Sequence, residues 1–177
     1  TASASALTVG AYAARPTAAA AGVGVEFYAT DVLERFRSDG ATWIISGTGG
    51  MELGYADTVS SFSTTSGTPV DVPGMSITCV VGERPVQFCF SGRTHANTVG
   101  QLVNCVLVLD GVAVMSFTDQ ATGTDQYFHA GINVRLDNLT PGSTHTFSLQ
   151  IGSAGAGGSS MVYAAAASPS AIQVRAV

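Results

Sequence analysis

The sequence contains no lysine. Its basic side chains are seven arginines, set against twelve aspartates and glutamates, for a net charge of −5. That absence excludes lysine chemistry such as a Schiff base or a Ser-Lys dyad. It also leaves no basic cluster, so neither nucleic acid nor an anionic membrane surface is an expected partner. Charged residues of both signs make up only 11% of the chain, where average soluble domains carry roughly 25%. Hydrophobic residues reach 46%. Yet no apolar run approaches the ~18–20 residues of a spanning helix, so membrane insertion is not expected. The surplus apolar surface is instead expected to lie against other copies of the chain, as in an obligate oligomer.

Residues that carry chemistry are also scarce. The three cysteines, Cys79, Cys89 and Cys105, form no Cys-x-x-Cys pair and sit in apolar runs. They read as buried free thiols of a protein made in a reducing cytoplasm. The three histidines, His95, His129 and His145, have no zinc-site spacing. No Gly-x-Ser-x-Gly elbow is present, and the GTGG at 47–50 lacks the lysine of a phosphate loop. Asp119 and Asp125 flank the segment DQATGTD, which suits a polar turn better than a calcium loop. No catalytic, cofactor-binding or metal-ligating residue is therefore expected, and the chain does not read as an enzyme. The opening TASASALTVGAYAARP has neither a basic nor an apolar leader region, so no signal peptide is expected.

What the chain does have is strand pattern. Residues 1–22, rich in Ala, Ser and Thr, read as an N-terminal arm. Residues 23–46 read as a small β-meander, with short runs near Val25–Ala29, Leu33–Arg37 and Thr42–Ser46 and an Asp39-Gly40 turn. Residues 47–54 read as a linker. Residues 55–177 read as an antiparallel jelly-roll sandwich of eight or nine strands, punctuated by Pro73-Gly74, Asp110-Gly111 and Thr140-Pro141-Gly142 and uninterrupted by any helical period. The clearest hairpin joins 101–109 to 112–118 through Asp110-Gly111. Its first strand is apolar on both faces, which points to the core on one side and a neighbouring subunit on the other. The candidate subunit-interface residues are Tyr28, Phe36, Trp43, Val103, Cys105, Leu107, Val112 and Val114. If the end loops bind a ligand, the candidates are Arg93, His95, Asn97 and Tyr127, with a host-surface glycan as the expected ligand.

Two segments resemble known proteins. Arg15-Pro16, Gly22, Gly24, Tyr28-Ala29-Thr30-Asp31, Phe36, Asp39-Gly40 and Trp43 follow the order of a module common in bacteriophage tail and fibre proteins. That module often has Thr-Gly after the aspartate, where this chain has Val32-Leu33. The remainder resembles the tumour-necrosis-factor-like jelly roll that often follows it, through Pro73-Gly74-Met75-Ser76-Ile77, Arg84-Pro85-Val86, Leu109-Asp110-Gly111 and Leu139-Thr140-Pro141-Gly142-Ser143-Thr144-His145-Thr146-Phe147. The resemblance implies a homotrimeric tail-associated or head-decoration protein of a virion, held to other virion proteins through its N-terminal region.

Overall fold

A computed structural model describes residues 7–47, 51–155 and 157–177. The expected arm begins outside that range, at residues 1–6. Its described part is neither free nor extended throughout. Leu7–Gly10 forms strand β1, which pairs in parallel with β2 (Glu26–Ala29). A 3-10 turn at Tyr12–Ala14 and one helical turn at Ala18–Ala21, capped by the Thr17 side chain, return the chain to the meander. With β3 (Glu34–Ser38) and β4 (Trp43–Ile45) the result is a four-stranded sheet in the order β1-β2-β3-β4. Alternation turns Phe27, Ala29 and Phe36 inward, where with Val32 they form a small separate core. So few buried side chains do not hold four short strands unaided. The module therefore leans on the sandwich, with Val80 packed against its core.

The expected linker is shorter than 47–54. Strand β5 begins at Met51 and runs to Thr58, because its backbone pairs with the C-terminal strand β14 (Ser170–Ala176). Gly54 belongs to this strand rather than to a flexible joint, and a Cβ there would collide with Ile77. The remaining strands are β6 (Phe62–Thr64), β7 (Val70–Val80), β8 (Val86–Ala96), β9 (Leu102–Leu109), β10 (Val112–Gln120), β11 (Gln126–Leu136), β12 (Thr144–Ala154) and β13 (Ser160–Tyr163).

One sheet has the order β10-β9-β12-β7. In the other, β11 lies along one edge of β8, while β14 and β13 share the opposite edge and pair onward with β5 and β6. Apart from the small β13–β6 ladder, this is a β-sandwich of jelly-roll type. Its core interleaves Phe88, Phe90, Ile132, Ile172 and Val174 from one sheet with Cys105, Leu107, Phe147, Leu149 and Ile151 from the other. Phe88 and Phe147 meet edge to face across it at 5.3 Å.

The alternation of β9 corrects the expected interface. Val103, Cys105 and Leu107 are fully buried in the chain's own core, so they cannot meet another subunit. The opposite side of β9 carries Val106 and Val108, which sit between Ser116 and Gln150 and between Ala113 and Ser148. Those flanking strands bury both valines within one chain. The two-faced apolar character of β9 thus follows from its central place in the sheet. Val114, on β10, also packs against the core, whereas Val112 is exposed.

Candidate functional site

Three places gather polar or aromatic side chains: the junction between module and sandwich, a hydrogen-bonded clasp at a turn, and the outer face of the sheet that contains β8.

At the junction, Glu34 is buried on the inward side of β3. Its carboxylate accepts hydrogen bonds from the backbone N–H groups of Glu83 (3.0 Å) and Arg84 (3.2 Å) in the sandwich turn. Gly82 leaves room for that carboxylate, since a Cβ there would run into it. Arg15 lies over the rings of Phe36 and Tyr12 at 4.2 and 4.6 Å and donates to Glu83 at 2.7 Å. Tyr12 also donates to Glu83, at 2.8 Å. Burial, then the adjacent Glu83 carboxylate, pushes the Tyr12 phenol up to about 12. The Trp43 indole N–H donates to the Pro16 carbonyl at 2.8 Å. Arg15-Pro16 is thus the strap that closes the module. Phe36, fully buried, and Trp43, tilted against Phe27 at 6.2 Å, are spent on this packing. Both leave the list of interface residues, while Tyr28 points outward.

The clasp joins the β9–β10 turn to the start of β12. His145 Nδ1 lies 2.6 Å from Asp110 Oδ2, and its Nε2 lies 2.7 Å from Ser143 Oγ. The connectivity is that of a serine nucleophile, its base and an orienting acid. The polarity is not. The Ser143 hydroxyl donates its hydrogen to the Thr140 carbonyl, so its oxygen can only accept from the ring. Asp110 has a left-handed φ of 50° and also accepts from the Thr146 N–H at 2.8 Å. That backbone bond, then the bond to His145, holds the Asp110 carboxyl below the usual carboxylate range. The three residues fasten two turns. The sequence contained Asp110 and His145 35 residues apart, and only the pairing of β9 with β12 unites them.

The outer face of the β8 sheet collects most of the expected ligand residues. Arg93 and His95 belong to β8, not to a loop, since the strand continues to Ala96. Register places Tyr127 and Met161 beside His95, and His129 and Tyr163 beside Arg93. Tyr127 covers His95 at 4.5 Å between ring centres and meets Tyr163 edge to face at 5.2 Å. His95 is buried beneath it, with Nε2 3.5 Å from Asp125 and Nδ1 without a partner. The next row holds Gly131, Ser91 and Ala171, with Asp57 of β5 at its outer end, and a Cβ at Gly131 would meet open space. Tyr55 and Tyr127 are each more than half exposed. Among the described residues, no acid lies within ion-pair distance of Arg93. Asn97 stands apart: its side-chain oxygen accepts from Thr98 and from the Ser159 N–H, pinning two loops together. Residue spacing did not signal Met161 as part of this surface. Its partner strand β8 lies more than 60 positions earlier in the chain.

No family model matches the chain, and no curated protein matches it by sequence. Solved structures give distant likenesses. One is the carbohydrate-binding module TmCBM61 in complex with β-1,4-galactotriose, at 13% identity and a TM-score of 0.35, covering 70% of this chain and 69% of that one. Another is the VP2 subviral particle of infectious bursal disease virus, at 12% identity and a TM-score of 0.41, covering 80% of this chain and 43% of that one. T=1 particles derived from the same virus give 14% identity and a TM-score of 0.41, with 38% of that chain covered. The chain thus spans less than half the length of these viral proteins. At such TM-scores the likenesses add nothing to the fold, which rests on the strand pairing itself. Among the described residues, no group of three or more candidate ligands gathers for a metal ion, and no helix is long and apolar enough to cross a membrane.

Proposed function

We propose that the chain is a non-enzymatic structural protein of a bacteriophage virion, a homotrimeric surface spike or fibre domain attached through its N-terminal module. The observation that carries the trimer is the outer face of the β8 sheet. It is long and rich in tyrosine, with Gly131, Ser91 and Ala171 side by side across three strands and an arginine that lacks an acid partner. A freely solvated face has no need of such a set, whereas the centre of an interface is characteristically enriched in Tyr, Met and Arg. A neighbouring copy would cover Tyr55, Tyr127 and Tyr163 and bring a carboxylate to Arg93.

Light scattering on the purified chain tests this directly. A mass of three times 17.9 kDa is expected, and Tyr127→Glu should release single chains with their far-ultraviolet spectrum intact. A wild-type protein that runs as one 17.9 kDa chain overturns the trimer. A label in the turn before β11, at the end of the sandwich away from the module, should appear at the surface of intact particles.

The same face supports a second reading, recognition of a host-surface glycan. Tyr127 and Tyr163 offer ring faces and edges for a sugar, and Arg93 offers hydrogen-bond donors. The two occupants exclude each other on this surface. A monomer that binds oligosaccharides in a glycan array, and loses them on Tyr127→Ala, favours the second.

A further inference from the structure

We propose that the outer face of the β10-β9-β12-β7 sheet holds a binding site for a neutral, hydroxyl-rich sugar. This rests on the second reading above, recognition of a host-surface glycan. It moves that glycan to a face which a trimer closed on the β8 sheet leaves free, so that assembly and recognition no longer compete.

An irregularity in β7 makes the site. Ser76 stands opposite Ser148, and Asp71 opposite Gln150. Between these two pairs β7 has residues 72–75, where β12 has only Leu149. Val72 and Met75 turn into the core, which leaves Pro73 and Gly74 standing out in solvent. Gly74 takes a φ of 78°, a left-handed conformation that glycine accepts without strain. Beside this rim opens a cleft of about 400 Å³ that reaches across β12 to Val108 and to Gly111 in the β9–β10 turn. That size lies within the range of small-molecule sites, about 300–1,000 Å³.

The polar groups of the cleft retain unused bonding capacity. The Gln150 amide donates to Asp71 Oδ1 at 3.0 Å, which leaves the second Asp71 oxygen and the Gln150 carbonyl open. Ser76 and Ser148 stand side by side in the register, and neither hydroxyl has a hydrogen-bond partner among the described residues. The Thr146 hydroxyl, at the next row, is shared only with that of Thr78 at 3.0 Å.

This set selects a class of ligand. A carboxylate, an amide carbonyl and paired hydroxyls accept from and donate to neighbouring hydroxyl groups on one ring. Val108 and the Pro73 ring offer apolar surface to the C–H groups of the same ring. Among the described residues no arginine or histidine lines the cleft, and Asp71 repels an anion, so an acidic sugar is disfavoured. One exposed carboxylate that already shares an oxygen with Gln150 does not draw an ammonium group or a metal ion out of water.

The test uses the full-length chain on a glycan array that carries neutral and anionic oligosaccharides. Three clefts on one trimer strengthen capture by an immobilised glycan. Wild-type protein should bind neutral oligosaccharides. The pair Asp71→Ala and Gln150→Ala, and separately Ser76→Trp, which fills the cleft from an edge strand, should each raise the half-saturating concentration at least about tenfold. Both should keep the wild-type oligomeric mass and a cooperative melting transition. Binding confined to anionic glycans overturns the cleft and leaves glycan recognition standing. So does binding that survives the cleft variants and is lost on Tyr127→Ala. No binding by the wild-type chain to any glycan overturns the cleft and glycan recognition together, and leaves the trimer untouched.

Discussion

Leu33 shows how one residue can hold a turn that its type resists. It stands where the resembling module has glycine, and it adopts a φ of 54°, a left-handed conformation costing about 1–2 kcal/mol for a residue with a Cβ. The buried neighbours Val32 and Glu34 fix the backbone on either side. Asp39 and Asp110 hold turns by another means, accepting hydrogen bonds from the backbone. The Thr42 and Ala41 N–H groups hold the Asp39 carboxyl low, as Thr146 and His145 do for Asp110. A carboxyl whose pKa falls on folding contributes stability that is present above its unfolded value and lost as pH falls through its folded value. Melting temperature should therefore lose the contribution of these two residues only in acid, below about pH 4. Asp110→Asn should flatten that acid limb. A variant whose acid limb matches wild type would show that Asp110 does not contribute to it. The thiols belong to a different part of the profile: burial raises Cys79 to about 11 and Cys105 to about 12, so neither is a nucleophile near neutrality.

At the scale of elements, the decisive contact is Glu34 with the 82–84 turn. A carboxylate buried against two backbone N–H groups is a strong interaction whose removal leaves both donors unsatisfied. Glu34→Ala should therefore cost about 2–3 kcal/mol, and Gly82→Ala should also destabilise by crowding the same carboxylate. Together the two changes should cost clearly less than the sum of their separate effects, since both act on one contact. Chemical denaturation of the two single variants and the double variant checks this, and simple additivity would show that the two residues do not share a contact. This contact also marks the limit of what could be read from sequence. The strands of the sandwich were legible because Asp-Gly and Pro-Gly turns punctuate apolar runs, and the hairpin at Asp110-Gly111 falls where the turn places it. The extent of β5 and the strand in the arm were not legible, because each is made by a partner strand far away in sequence. The faces of β9 were misassigned for a related reason. A central strand is covered on both sides by its own neighbours, and pattern alone cannot tell their cover from that of another subunit. Arg93, His95 and Tyr127 were singled out as loop residues, yet they meet through strand register, which also adds Met161.

The whole molecule raises one question of balance: where a chain with 11% charged residues keeps its remaining apolar surface. Much of what looked surplus is absorbed by the sandwich, including Val106 and Val108. The large hydrophobic side chains left exposed include Tyr55 and Tyr127 on the β8 sheet, Leu7, Val9, Val23 and Ile44 on the module, and Val112 and Met115 on edge strand β10. The first set is proposed to meet copies of the chain and the second to lie where the module attaches, and only the first makes folding depend on concentration. If three chains unfold as they separate, each tenfold dilution removes two-thirds of 1.4 kcal/mol, or about 0.9 kcal/mol per chain. For a chain of this length that corresponds to a fall in melting temperature of about 2–4 °C. Calorimetry across two decades of concentration should show this slope for wild type, with no slope for Tyr127→Glu. The Asp71→Ala and Gln150→Ala pair should keep the wild-type slope, because its face takes no part in the trimer. A wild-type melting temperature that does not move with concentration would separate assembly from folding and leave the tyrosine face open to a ligand.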